Sequence, residues 1–231
     1  VHTQCSTRSR PVEWQHSKGK ARMRLGRVLQ MSGLLIMLTS AAAFGHGGGM
    51  DWTQQARELS SKDQSERAQW EALNQQVSDL SKKGEYDRAA VAAKKALDVA
   101  KQSDYLGSVG AVGVSLCNLA GCYYNQAQYS QAEPFFQSAL TFYEKKFGPD
   151  NPTVAAILNN LGSIHERQGH LVQAESRYKR ALEIDEKVYG RDHHNVAVVL
   201  KNLAGIYRAT HRTDDAAKLE QRAVIIEAIK R

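Results

Sequence analysis

Apolar and small residues in the second half of the chain fall three, four and seven positions apart, the spacing that gathers them on one face of a helix. One stripe is Leu158, Leu161, Gly162 and His165, and a second, Ala174, Tyr178, Ala181 and Leu182, follows a break at Gly169. Two amphipathic helices joined by a tight turn are predicted. The small members, Gly162, Ala174 and Ala181, are expected to let the two helices approach closely. The unit recurs: Asn118, Asn160 and Asn202 stand 42 residues apart, inside LCNLAGCYYNQAQYSQAEPFFQSAL from Leu116, LNNLGSIHERQGHLVQAESRYKRAL from Leu158 and LKNLAGIYRATHRTDDAAKLEQRAV from Leu200. In the last copy Thr213 and two aspartates stand near the turn. A degenerate copy lies upstream at an offset of 43, with Leu73 and Leu80 in its first helix, Gly84 in its turn and Ala89, Ala93 and Ala96 in its second. Such repetition predicts an all-α stack in which each pair buries its apolar face against the next, and four pairs exceed the roughly three that stability requires.

The repeated pattern resembles the tetratricopeptide repeat. Its period and its linkers, FGPDNPTVA from Phe147 and YGRDHHNVA from Tyr189, resemble the kinesin-light-chain variety, as does AEPFF from Ala132. Pro134 in that segment is expected near the first turn of its helix, where a missing N–H costs little. The resemblance implies a right-handed α-solenoid of about four pairs, near residues 70–112, 113–154, 155–196 and 197–231. It also implies a non-enzymatic scaffold or adaptor for a protein or peptide, because the first helix of each pair lines an inner groove in that family. Carried over residue by residue, it nominates Asn74, Lys82, Asn118, Tyr124, Asn125, Asn159, Asn160, Arg167, Lys201, Asn202 and Arg208. A row of amides offers both donors and acceptors to an extended peptide backbone, or bonds the adjacent repeat. The cations favour an acidic side chain or a terminal carboxylate. Self-assembly through Ile225, Ile226 and Ile229 of the last helix is the alternative reading.

Charge enters the picture only when it is divided. The formal +7 separates into +6 over residues 1–45 and +1 over residues 46–231, so the repeats carry no basic excess that would point to nucleic acid. The basic leader has its own order. From Met23, MRLGRVLQMSGLLIMLTSAAAFG runs from arginines to an apolar stretch to small residues, the order of a secretory signal over 23–45. Its apolar stretch is shorter than the roughly 20 residues of a spanning helix. Periplasmic or secreted protein is expected, or a membrane-anchored one if the segment is retained. Residues 1–22 have no period and read as disorder, or as translation ahead of a start at Met23. A Gly-rich linker, His46 to Met50, follows, and Asp63 with Glu66 reads as a capping pair opening the helix of Trp70 and Leu73.

Little in the chain points to chemistry. The HERQGH sequence at His165 spaces its histidines by five, where a zinc-peptidase helix needs four, and Gly169 stands where that helix ends. His193 and His194 align with Asn151 and Pro152 and read as surface loop. Neither a nucleophile elbow nor a phosphate or dinucleotide loop is present, so no catalytic residue, metal or cofactor is expected. Cys122 aligns with Ile164 and Ile206 and is assigned to the core. Cys117 aligns with Asn159 and Lys201 and is expected to be accessible. At five residues apart on one helix the two side chains diverge, which argues against a disulfide between them.

Overall fold

A computed structural model describes the backbone of residues 52–229 and the side chains of 61–107 and 110–229. The leader, its signal-like segment and the glycine-rich linker lie outside the described residues. Internal contacts separate a unit that holds everything from Lys62 onward and a second unit, of which only 52–61 are described.

Every element among the described residues is helical: α1 (Trp52–Lys82), α2 (Tyr86–Gln102), α3 (Asp104–Val109), α4 (Ala111–Asn125), α5 (Tyr129–Phe147), α6 (Pro152–Arg167), α7 (Leu171–Tyr189), α8 (His194–Ala209) and α9 (Thr213–Ile229). From Lys62 onward they form four pairs, α1/α2, α4/α5, α6/α7 and α8/α9, in an all-α solenoid. The first member of each pair is called its A helix and the second its B helix.

Within a pair the turn is the same each time. The N–H groups of Glu85, Gln128, His170 and Arg212 donate to the carbonyls of Leu80, Tyr123, His165 and Tyr207 at 2.8 to 3.0 Å, a 6→1 closure of the A helix. It requires a left-handed residue, supplied by Gly84, Ala127, Gly169 and His211, with φ between 58° and 79°. Between pairs, Gly148 and Gly190 end the B helices, and Asn151 and His193 cap the next A helices by accepting from the N–H groups of Thr153 and Asn195.

Packing follows the predicted stripes. Ala89, Ala93 and Ala96, then Ala132, Phe136 and Ala139, then Ala174, Tyr178 and Ala181 are all buried along successive B helices. They meet Leu119, Leu158, Leu161, Ile164 and Ile206 from the A helices, forming one cluster through the stack. Cys122 belongs to it, and burial pushes its thiol up to about 11. Cys117 belongs to it as well, a correction to the expected accessibility: a small apolar side chain is drawn inward where its counterparts Asn159 and Lys201 stay nearer the surface. Both thiols are free of disulfides.

Three further differences have local causes. Helix α1 begins well ahead of Asp63, which therefore caps nothing. The Gln-rich stretch before it contains no helix breaker, and Lys62–Glu66 and Arg67–Glu71 pairs one turn apart support the helix. The short α3 between the first and second pairs accounts for the odd offset of 43. Its N-cap is Ser103, its left-handed terminus Gly110, and Lys146 donates to the Gly107 carbonyl at 2.8 Å. Pro134 sits inside α5, a turn deeper than expected, because that helix starts at Tyr129.

Candidate functional site

The A helices lie side by side, and their residues outside the core form one wall of the stack. Its asparagines mostly bond one another. Asn118 Nδ2 donates to Asn74 Oδ1 at 2.6 Å, and Asn202 Nδ2 donates to Asn159 Oδ1 at 2.8 Å. Each recurring Asn thus reaches back to the position that precedes its own counterpart in the pair before. At the middle step that position is Cys117, and the Nδ2 of Asn160, which is buried, has no hydrogen-bond partner. Asn74 also donates to the Trp70 carbonyl at 2.7 Å, so it is spent within the wall. The Oδ1 atoms of Asn118 and Asn202 and the Nδ2 of Asn159 lie outside these bonds.

The other nominated residues divide by burial and partner. Tyr124 is buried: its hydroxyl shares a 2.7 Å hydrogen bond with Ser163 Oγ, and its ring meets Tyr129 edge-on at 5.4 Å. It therefore joins adjacent pairs from within and, like Asn160, presents little accessible surface. Lys201 pairs with Glu227 at 2.6 Å and Arg208 pairs with Glu220, both across to α9. Lys82 pairs with Asp79 at 3.4 Å on its own helix. Arg167 and Asn125 are exposed near the ends of α6 and α4, and no carboxylate among the described residues lies within ion-pairing distance of Arg167. Its neighbour Glu166 accepts from the Tyr178 hydroxyl at 2.9 Å.

Two wall residues escaped the sequence reading. Gly121 and Gly205 are half-buried, in the interior of helices, with no positive φ. A Cβ on Gly121 meets nothing within 4 Å, and one on Gly205 meets only Glu166 Oε1 at 3.7 Å, an ordinary contact. Their signal was a position three residues beyond the recurring Asn, hence on the same face. By contrast Gly113 and Gly162 face rings at 2.6 and 2.7 Å and are required by packing.

The remaining chemical candidates resolve into structure. His165 is buried in the position that Tyr123 and Tyr207 fill elsewhere, and Gly169 at φ 79° ends its helix, so HERQGH forms no two-histidine face. Among the described residues no group of three or more His, Cys, Asp or Glu is placed to hold a metal. His193 is the cap of α8, its Nδ1 accepting from Asn195 N–H at 3.2 Å, and its ring stacks on Tyr189 at 4.4 Å. On α9, Ile226 is buried while Val224, Ile225 and Ile229 are exposed. None of the described helices is long and apolar enough to cross a membrane.

Residues 111–187 and 153–224 each match the family model described as tetratricopeptide repeat. No curated protein matches the chain in sequence. Among solved structures the chain is similar to BtubC (BKLC) from P. vanneervenii, at 24% identity over 77% of this chain and 74% of that one, with a TM-score of 0.63. It is also similar to MamA, residues 41 to the end, from Desulfovibrio magneticus RS-1, at 16% identity over 69% and 76% of the two chains, with a TM-score of 0.53. A MamA RS-1 double mutant gives 16% identity, 75% and 84% coverage and a TM-score of 0.54. At these identities the likeness concerns the fold. The helix pairs of residues 111–224 match the tetratricopeptide repeat, and the described chain from Lys62 onward is an all-α solenoid of helix pairs.

Proposed function

We propose that this protein is a non-enzymatic scaffold that holds an extended segment of a partner protein along its A-helix wall. The observation that carries the reading is the pair Gly121 and Gly205. A helix-interior glycine costs about 1 kcal/mol relative to alanine. Here neither packing nor backbone conformation recovers that cost, since nothing crowds either position and neither φ is positive. What the missing side chains leave is backbone that a partner's backbone is able to approach. Around it the Asn118 and Asn202 carbonyl oxygens and the Asn159 amide NH2 supply the acceptors and donor that a peptide main chain needs. Arg167, the nominated cation that makes no ion pair among the described residues, gives the wall its preference for an acidic side chain.

Peptides selected from a displayed random library against the wild-type protein provide the test. Gly121→Ala and Gly205→Ala are expected to raise stability by about 0.5–1 kcal/mol, through lower unfolded-state entropy and better helix propensity. Both are expected to weaken the selected peptides by roughly fivefold or more, about 1 kcal/mol. Arg167→Glu is expected to weaken acidic peptides selectively. Affinities unchanged in all three variants would remove the wall from the reading. Self-association through the exposed Val224, Ile225 and Ile229 would be equally indifferent to these changes.

The 42-residue period and the capped linkers support assignment to the kinesin-light-chain-like variety of the repeat. The order of charge, apolar and small residues over 23–45 supports export to the periplasm or beyond. N-terminal sequencing of protein recovered from the exported fraction of its host is then expected to begin at Phe44 or His46. An intact leader in the membrane fraction would indicate an anchored scaffold instead.

A further inference from the structure

Two junctions between pairs use the same three positions with different chemistry. Between the third and fourth pairs, Arg212 donates from both guanidinium amines to the Glu175 carboxylate, at 3.0 and 2.5 Å, and lies 3.9 Å from the centre of the Tyr207 ring. The guanidinium holds the Glu175 carboxyl down to about 2, so this clasp keeps both charges across the whole neutral and mildly acidic range. Forty-two residues earlier the same positions hold His170, Glu133 and His165. There the contacts are loose. His165 Nε2 stands 4.0 Å from Glu133 Oε1, its Nδ1 is buried without a hydrogen-bond partner, and its ring is 6.2 Å from that of His170. Among the described residues Glu133 otherwise takes only a long 3.4 Å hydrogen bond from Gln168.

We propose that the junction between the second and third helix pairs is an acid-sensitive joint, opened when His165 takes up a proton, while the junction between the third and fourth pairs stays clasped. The charged and titratable groups around His165 are Glu133 from α5, Arg177 from α7 and His170 from the α6–α7 turn. Glu166, beside it on α6, is turned to Tyr178. A proton on His165 creates a buried imidazolium with one carboxylate at the limit of ion pairing and with Arg177 and His170 opposing it. Burial first, and then Arg177 and His170, lower its affinity for protons below that of an ordinary histidine, against the pull of Glu133. The folded joint therefore binds fewer protons than the unfolded one. Its stability is fully present above the ordinary histidine range and is lost as pH falls through the lowered folded value. The joint crosses the A-helix wall between Gly121 and Asn159, so a partner spanning both pairs would be released by acid; that consequence alone rests on the proposed function.

Hydrogen exchange of the full chain at about pH 7.5 and about pH 5, corrected for intrinsic amide rates, reads the joint directly. Local exchange is the appropriate readout because the buried Asp185 shifts global stability in the opposite sense. In the wild type, amides of α5 and α6 are expected to lose roughly tenfold protection at the lower pH, and those of α8 and α9 are expected to keep theirs. His165→Tyr, the residue found at the equivalent positions Tyr123 and Tyr207, is expected to keep protection at both pH values. His165→Gln, polar but uncharged, serves the same purpose should the ring fail to fit. Equal loss in the wild type and the folded variants, or no loss in the wild type, would overturn the joint whatever the fate of the peptide-binding reading.

Discussion

Gly162→Ala is expected to destabilise the fold by about 1–2 kcal/mol, although the same change at Gly121 is expected to stabilise it. Alanine gains about 1 kcal/mol of helix propensity at either site. At Gly162 the new methyl carbon would stand 2.7 to 3.0 Å from three atoms of the Tyr178 ring, whereas at Gly121 it meets nothing. Overpacking of this kind costs about 1–3 kcal/mol and outweighs the gain when the neighbour is unable to move. Tyr178 is held: it is fully buried, and its hydroxyl donates to Glu166 at 2.9 Å, so withdrawing the ring breaks that bond. In the second pair Ala120 occupies the equivalent A-helix position opposite Phe136, a ring with no hydroxyl to anchor it. Gly162→Ala combined with Tyr178→Phe should therefore cost less than the two separate losses added together. Urea unfolding of Gly121→Ala, Gly162→Ala, Tyr178→Phe and the double variant separates propensity from packing. A Gly162→Ala protein as stable as the wild type would show that Tyr178 has room to shift.

The repeats were legible because their restraints are one-dimensional. Leu158, Leu161, Gly162, Ala174, Tyr178 and Ala181 each pack where their spacing put them, and the period carries that result from pair to pair. The turns were legible only at Gly84 and Gly169. At Ala127 and His211 the chain adopts the same left-handed conformation without glycine, because the packing of the two helices fixes the turn and overrides a local preference of about 1 kcal/mol. The missed α3 and the misplaced start of α1 are both departures from the period, and a period says nothing about its own interruptions.

The wall was less legible for a related reason. Face and register follow from spacing, and Asn118, Asn159 and Asn202 fall together on the wall while Asn160 turns inward. Whether a polar side chain on that face is spent on a neighbour depends on pairs brought together from different helices. Asn118 with Asn74, Lys201 with Glu227 and Tyr124 with Ser163 are such pairs, separated by 26 to 44 residues. The groove carried over from the family also names side chains, whereas the unexplained feature of the wall is their absence at Gly121 and Gly205.

Replacing Asp185 by asparagine is expected to stabilise the protein by about 2 kcal/mol near pH 7.5 and by almost nothing near pH 4. Asp185 is 5% exposed on α7, in the position that Tyr143 holds in the second pair, and burial alone pushes its carboxyl up from 3.8 to about 6. A raised carboxylate value means the folded state binds protons more readily than the unfolded one. The group is therefore harmless below the unfolded value, and it removes stability progressively as pH rises from the unfolded value to the folded one, above which the loss is constant. A shift of about two units corresponds to somewhat under 3 kcal/mol at most, and relaxation of the protein around a buried charge trims it to about 2. Asparagine keeps the shape without the charge, so its benefit should grow as pH rises above the unfolded aspartate's value and be complete once the folded aspartate is ionised too. Thermal or urea unfolding of both proteins between about pH 4 and pH 8 should give curves that nearly coincide at the acid end, separate as pH rises from about 4 to about 6, and keep a constant separation above that. Parallel curves, with asparagine offset by the same amount throughout, would mean that the amide's own packing, rather than the buried charge, sets the difference.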